Sequence, residues 1–195
     1  MRPLYLFAVF FVLYELTTYL ANDMIMPGMP QVIQQFNASQ SYVALSMSYY
    51  ILGNCVFMLI IGGLSEHFGK RPVIIIGNMF FLLFTALLIF SQNIHQFMLL
   101  RFLEGSGLAI IAIGYALIHT NFNDKDAVKL IALMGNVSIL APLFGPIVGS
   151  LIVSHLTWHY VFVLTVIMAI FSLVGLYYYS PRYQNYARSP YFFFR

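Results

Sequence analysis

Six uninterrupted apolar runs constrain this chain more than any other feature it has. A helix that crosses a bilayer needs about 20 mostly apolar residues, at roughly 1.5 Å rise each. Leu4–Met26, Tyr42–Gly63, Val73–Ser91, Gln96–His119, Val128–Ser154 and Tyr160–Tyr178 all meet that requirement. The runs are continuous and do not alternate, which excludes transmembrane β-strands. The connectors are polar or carry helix punctuation: Pro27-Gly28-Met29-Pro30 with Asn37-Ala38-Ser39, then Leu64–Pro72, Gln92-Asn93, Thr120–Ala127 and His155–His159. The first run is longer than a signal-peptide core, carries two acids and has no small-residue cleavage site, so it is expected to stay on the protein. The expected fold is all-α: a polytopic membrane protein of six transmembrane helices. The turn at Gln92-Asn93 divides them into two three-helix repeats, and an odd number per group inverts the second relative to the first. Gly62-Gly63-Leu64 and Gly149-Ser150-Leu151 form a faint internal echo of that repeat.

Composition excludes the main alternatives. The chain is 61% hydrophobic and only 8% charged, with a mean hydropathy of +0.85, whereas a soluble domain is about a quarter charged. It lacks the polar surface of a cytosolic enzyme, a disordered tail protein or a nucleic-acid binder. The lone Cys55 excludes a disulfide framework and a cysteine-based metal site. The basic residues are segregated along the chain. Arg2, Lys70, Arg71, Lys125, Lys129, Arg182, Arg188 and Arg195 fall before the first run, after the second, fourth and sixth, or at the start of the fifth. The other three connectors carry no Lys, Arg, Asp or Glu. The positive-inside rule then places both termini in the cytoplasm.

Four charges remain inside the runs: Glu15 and Asp23 in the first, Arg101 and Glu104 in the fourth. Each costs about 2.5–3.5 kcal/mol or more at the bilayer centre, so each should face protein or a water-filled cavity. Glu15 falls near the midplane, with Asp23 about 12 Å beyond it and level with Arg101, and Glu104 one turn deeper. Asp23 and Arg101 are therefore possible partners. Glu15, Tyr19, Asn22 and Asp23 follow i, i+4, i+7, i+8 spacing and make one polar stripe. Two readings compete for these groups: a structural ion pair tying helices together, or a cavity wall with proton chemistry. In the fifth run, Ser138, Pro142, Gly145, Pro146 and Gly149 recur at three- or four-residue spacing. Small residues permit close helix approach and prolines bend a helix, which suggests a rigid bent helix at a sealing interface. The histidines sit at predicted helix ends without metal-ligand spacing, and Trp158 with the many tyrosines fits an interfacial belt. No phosphate-cradling G-x-x-x-x-G-K-[ST] loop, zinc-type H-E-x-x-H or G-x-S-x-G elbow is present. Neither a cofactor nor a metal is expected, and the chain is not read as an enzyme.

Three ordered motifs bring a family into view. Gly62-Gly63-Leu64-Ser65-Glu66-His67-Phe68-Gly69-Lys70-Arg71-Pro72 is similar to the signature loop of the major facilitator superfamily, with Glu66 for the usual Asp and His67 for the usual Arg. Leu100-Arg101-Phe102-Leu103-Glu104-Gly105 resembles its helix-four motif, with Glu104 for the usual Gln. Ala141-Pro142-Leu143-Phe144-Gly145-Pro146-Ile147-Val148-Gly149 resembles the helix-five motif of the drug:proton antiporter branch. The stretch Leu13–Met29 is similar to the first helix of multidrug efflux members of that branch.

The resemblance implies one half of a major facilitator fold: a six-helix N-terminal bundle over residues 1–178 and a short cytoplasmic tail over 179–195. It also implies a proton-coupled multidrug efflux antiporter in the bacterial inner membrane, handling protons and small lipophilic or cationic substrates. By residue, Glu15 and Asp23 match the carboxylates that take up protons and contact substrate. Arg101 matches the arginine that responds to their charge, and Tyr19, Asn22 and Glu104 lie beside them. Gly62, Leu64, Glu66, Gly69, Lys70 and Arg71 carry the gating loop; Pro142, Gly145, Pro146 and Gly149 carry the helix-five motif. Glu104 is positioned to pair with Arg101 at i, i+3 and leave Asp23 freer. Such proteins have two six-helix halves, so the expected partner is the missing C-terminal half or a second copy. The alternative is a non-transporting remnant or accessory subunit that keeps the fold.

Overall fold

A computed structural model describes residues 2–181. Among these, eight α-helices build six membrane-spanning segments. The first span is α1 (Arg2–Asp23), continued by a 3-10 turn (Met26–Gly28) and α2 (Met29–Gln35). The second and third are α3 (Ser41–Phe68) and α4 (Lys70–Ile89). The fourth is broken into α5 (Ile94–Glu104) and α6 (Ser106–Asn121), and the last two are α7 (Asp124–His155) and α8 (His159–Tyr179). The chain is an all-α, integral, multi-pass membrane protein.

Two boundaries fall beyond the apolar runs. The first span does not end at Pro27 but remains helical to Gln35. Pro27 and Pro30 each sit in the first turn of a short helix, where the missing N–H has no helical partner to lose. The signature motif is not a loop. Gly62, Leu64 and Glu66 lie on the last turns of α3, Lys70 and Arg71 open α4, and Gly69 alone connects them. Gly69 has φ of 89°, a left-handed geometry that glycine adopts without a Cβ clash. Arg71 then donates from Nη2 to the carbonyl of Tyr177 at 3.1 Å, placing a cation on the last turn of α8 where helix dipole and free carbonyls favour it. From residue 182 onward the tail lies outside the described residues.

The packing repeats itself. The first span packs against α7 and α8 just as the fourth packs against α3 and α4, while α4 and α8 meet each other. This is the exchange expected of two inverted triplets. At one end of the bundle lie the α3–α4 turn and the α6–α7 connector, with Lys70, Arg71, Asp124, Lys125 and Asp126. There Tyr5 donates to Asp126 Oδ2 at 2.7 Å, and Asn123 caps α7 by accepting from the Asp126 N–H. Among the described residues the opposite end carries no Lys, Arg, Asp or Glu, and α2 packs there through Gln31, which donates to the Val153 carbonyl. Trp158 lies at this end, only 1% exposed, and is not part of a lipid-facing belt. Its indole N–H donates to Gln35 Oε1 at 2.8 Å and its backbone N–H to Gln31 Oε1 at 2.9 Å. Phe36, Phe97 and Phe162 surround the ring edge-on. The helical extension to Gln35 supplies both acceptors, so the tryptophan buries instead of seeking the lipid interface.

Two crossings bring backbone against backbone. A Cβ on Gly53 of α3 would lie 1.9 Å from the Phe102 carbonyl oxygen, and one on Gly105 would lie 2.1 Å from that of Tyr50. On the other side, a Cβ on Gly149 of α7 would lie 2.0 Å from the Met24 carbonyl oxygen, and one on Gly145 would lie 2.7 Å from Asp23 Cβ. Glycine is required at each crossing because any side chain would collide with main chain or its first carbon. The result pins the fourth span to the second near Arg101, and the first span to the fifth at Asp23 and Met24.

Candidate functional site

The membrane-embedded charges form one tight centre, with a second polar pair further along the first span. Arg101 and Glu104 are adjacent on the same face of α5 by their i, i+3 spacing, and they form the one ion pair among the described residues. Both are fully buried. The guanidinium reaches the first span as well, donating from Nη2 to Asn22 Oδ1 at 3.0 Å and from Nη1 to the Ala21 carbonyl at 3.3 Å. Its Cζ lies 4.5 Å over the ring of Tyr50, a favourable face for a cation out of water. Tyr50 in turn donates to the Thr18 carbonyl at 2.7 Å. Glu104 uses its second oxygen too, accepting from Thr85 of α4 at 2.8 Å. Spans one to four thus meet at one buried ion pair whose hydrogen-bonding groups are largely satisfied. Breaking such a pair leaves a buried charge without compensation.

Asp23 is beside this centre but outside the ion pair. It is half-buried and accepts from the Asn22 side-chain amide at 3.0 Å. Asn22 is therefore a bridge, accepting from Arg101 and donating to Asp23. Of the two pairings that depth allowed, the local one with Glu104 is formed and the cross-helix one is not.

Glu15 lies two turns away toward the charged end and is fully buried. Tyr115 of α6 donates to its Oε1 at 3.1 Å, while Oε2 has no hydrogen-bond partner among the described residues. Tyr115 and Tyr19 line a cleft of about 330 Å³ together with Asn54, Met58, Leu108 and Ala112. The polar stripe of the first span therefore divides. Its upper part, Asn22 and Asp23, joins the arginine centre; in its lower part Tyr19 lines the cleft, and Glu15 is linked to it through the lining residue Tyr115.

The other expected site residues lie apart or play a packing role. Glu66 is about 18 Å along α3 beyond Asn54, and the signature residues as a group stand at the charged end. Pro142 and Pro146 are accommodated within the continuous α7, and Gly145 and Gly149 hold that helix against Asp23 and Met24. The helix-five motif thus positions a site carboxylate without contributing a polar group. Tyr50, Thr85 and Tyr115 are the neighbours of these charges that sequence patterning missed. Thr85 is the single polar residue in Phe80–Ile89, which is a usable signal. Tyr50 and Tyr115 are two among 14 tyrosines, and spacing alone does not separate them from the rest.

Six apolar spans arranged as two inverted triplets around buried charges define the kind of helical bundle from which secondary transporters are built. The particular family follows from sequence: residues 11–191 match the model of the Major Facilitator Superfamily, and the chain belongs to it. Its relatives include the chloramphenicol resistance protein CraA of Acinetobacter baumannii, 40% identical over 176 residues. They also include the multidrug transporter MdfA of Escherichia coli O6:H1, 42% identical over 176 residues. Each alignment takes in 90% of this chain and 43% of the relative, so the chain spans less than half their length. Among solved structures, the D-xylose–proton symporter superposes with a TM-score of 0.75 at 16% identity, over 89% of this chain and 47% of that one. A bacterial homologue of the human lysosomal transporter Spinster, inward-facing and occupied, gives 0.69 at 15% identity over 89% and 43%. At that identity the two structures support the fold alone.

Proposed function

We propose that this chain serves as the N-terminal six-helix half of a proton-coupled exporter of lipophilic and cationic compounds. It sits in a bacterial inner membrane with both termini in the cytoplasm, as the segregation of Lys and Arg indicates. The observation that carries the reading is Glu15: a fully buried carboxyl with one oxygen held by Tyr115, which lines the cleft, and the other unpartnered among the described residues. A structural acid in lipid would have both oxygens satisfied, as Glu104 has. An acid with a spare oxygen, one tyrosine away from a cleft, can instead take up a proton or meet a cation. Asp23, half-buried and without an ion partner among the described residues, supplies the second carboxylate. Substrate and proton then compete for the same groups, which couples export to proton influx.

The names of the two relatives, one conferring chloramphenicol resistance and one transporting multiple drugs, support a drug-like substrate class. Alternating access in this fold is the rocking of two halves around a central site, so vectorial export requires a second six-helix bundle. Exposed apolar residues on α3 (Leu52, Val56, Leu59) and α7 (Ile139, Leu143, Ile147) are the surface on which such a bundle would close. The test is proton release when tetraphenylphosphonium is added to purified, reconstituted protein joined with a C-terminal half. Release should fall partially in Glu15→Gln and in Asp23→Asn and vanish in the double variant. Undiminished release from the double variant would assign both acids to structure.

A further inference from the structure

The cleft between the first, second and fourth spans is a substrate site under the function proposed above, yet no charged side chain among the described residues lines it. Its lining includes Tyr19, Asn54, Met58, Leu108, Ala112 and Tyr115. Glu15 is fully buried and is linked to the cleft through Tyr115, and Asp23 is not among the lining residues. We infer that Asn54 is a specificity-determining residue, and that through it the cleft takes an uncharged aromatic molecule bearing an amide or a similar hydrogen-bonding group. This rests on the reading of the cleft as a substrate site, and adds to it a chemical class and the side chain that selects it.

Three observations point to Asn54. It is the one side-chain amide in the apolar run Tyr42–Gly63, and a polar group in a spanning segment is costly unless its hydrogen bonds are made. Other amides in the bundle have partners: Asn22 joins Arg101 to Asp23, and Asn78 donates to Ser172. On α3 itself, Ser48, Tyr50 and Ser65 all find acceptors, whereas the Asn54 side chain has no hydrogen-bond partner among the described residues. Its backbone is also firmly placed. A Cβ on Gly105 would lie 2.9 Å from the Asn54 amide nitrogen of the main chain, so the close crossing of the second and fourth spans fixes where this side chain begins.

The rest of the lining indicates what the amide meets. Tyr19 of α1 and Tyr115 of α6 supply aromatic surface. Met58, one turn further along the same face of α3, is a side chain that adapts to the shape of an apolar ligand. The Tyr115 hydroxyl donates to Glu15, so its proton is already committed. A side-chain amide donates and accepts at once and has no charge, so it matches a ligand amide or hydroxyl and gives a bare ion no counter-charge. A volume of about 330 Å³ lies at the small end for organic-ligand pockets and suits a molecule of one or two rings. Recognition by Asn54 is therefore separate from the carboxylates: it reads an uncharged polar group, and they handle charge and protons.

The experiment uses two flat two-ring molecules of similar length: benzanilide, whose rings are joined by an amide, and trans-stilbene, whose rings are joined by a carbon–carbon double bond. Their binding to the purified chain in nanodiscs is measured after subtraction of empty nanodiscs. The native chain should prefer benzanilide by about three- to tenfold, the net effect of one hydrogen bond. In Asn54→Leu benzanilide should weaken by that factor while stilbene binds as before or more tightly, so the preference disappears. Asn54→Ala adds no bulk near the Gly105 crossing and should do the same, which keeps the test decisive if Asn54→Leu does not fold. Circular dichroism and a monodisperse elution profile identify variants that have kept the bundle. A preference that persists in the folded variants, a loss of both molecules together, or a native chain that binds both alike overturns the inference and leaves the function standing. A native preference that vanishes when the chain is joined with a C-terminal half assigns the amide to that half and also overturns it. A native chain that binds neither molecule overturns the reading of the cleft as a substrate site, and this inference with it.

Discussion

The two polar centres on the first span differ in how completely they are satisfied. At the Arg101 centre, the carboxylate of Glu104 and the guanidinium between them engage Thr85, Asn22, the Ala21 carbonyl and the Tyr50 ring, leaving only Arg101 Nε unpartnered among the described residues. At the Glu15 centre, a single tyrosine hydroxyl serves one oxygen and the second is unpartnered among the described residues. Both are buried in the same bundle and both draw on the first and fourth spans. The difference underlies the roles proposed for each. A largely filled network in a medium of low dielectric holds helices in one arrangement. A partly filled one keeps capacity for a proton or a ligand, at some expense of stability.

That comparison can be broken most severely at Arg101. Arg101→Ala strands Glu104 without a counter-charge and frees Asn22 and the Ala21 carbonyl, so unfolding in detergent should show a loss of about 3–5 kcal/mol. An unchanged melting temperature would mean that the centre is not what joins the spans. Next comes the glycine crossing that holds Asp23 beside it. Gly149→Ala drives a Cβ into the Met24 carbonyl and should lower stability by about 1–3 kcal/mol. Gly135→Ala on the same helix meets nothing within 4 Å and should be neutral or slightly stabilising. Equal effects from the two would remove the case for a specific crossing.

Smaller changes sharpen the contrast. Tyr50→Phe keeps the ring beneath Arg101 and deletes only the bond to Thr18, so it should cost about 0.6 kcal/mol, the mean for an interhelical hydrogen bond in a membrane protein. The smallest stability effect is expected from Glu15→Gln. The amide keeps an oxygen for the Tyr115 hydroxyl and the other position already lacks a partner. The same variant should nevertheless reduce drug-induced proton release. A Glu15→Gln protein that melts well below the native chain would show Glu15 to be as structural as Glu104.

Much of this molecule is legible from residue order, and the reason is the solvent. In a bilayer every backbone polar group must be satisfied within its own segment, so six apolar runs translate directly into six helical spans. The rarity of charge does the same for the site: Glu15, Asp23, Arg101 and Glu104 stand out because the only other charge within those runs, Lys129, sits one residue inside an end. Where polarity is ordinary, residue order says less. Trp158 next to a helix start has the signature of an interfacial residue, yet Gln31 and Gln35 satisfy its two N–H groups and bury it. Those glutamines are available only because Pro27 and Pro30 fall in first turns and let the first span run on.

Residue order by itself therefore determined the class of the fold, the count of spans and the four charges that must be sheltered. It also determined the depth of each charge, since depth follows from helical rise alone. Depth is compatible with either partner for Arg101: Asp23 lies level with it on the neighbouring span, and Glu104 lies one turn along its own helix. Only the tertiary structure decided between them. The crossings at Gly53 and Gly105 hold the fourth span against the second, and those at Gly145 and Gly149 hold the first against the fifth; in that arrangement Arg101 reaches Asn22 and the Ala21 carbonyl on the first span but pairs with Glu104 on its own. A choice between two carboxylates is settled by a few ångströms of side-chain reach, and that distance is a property of helix packing.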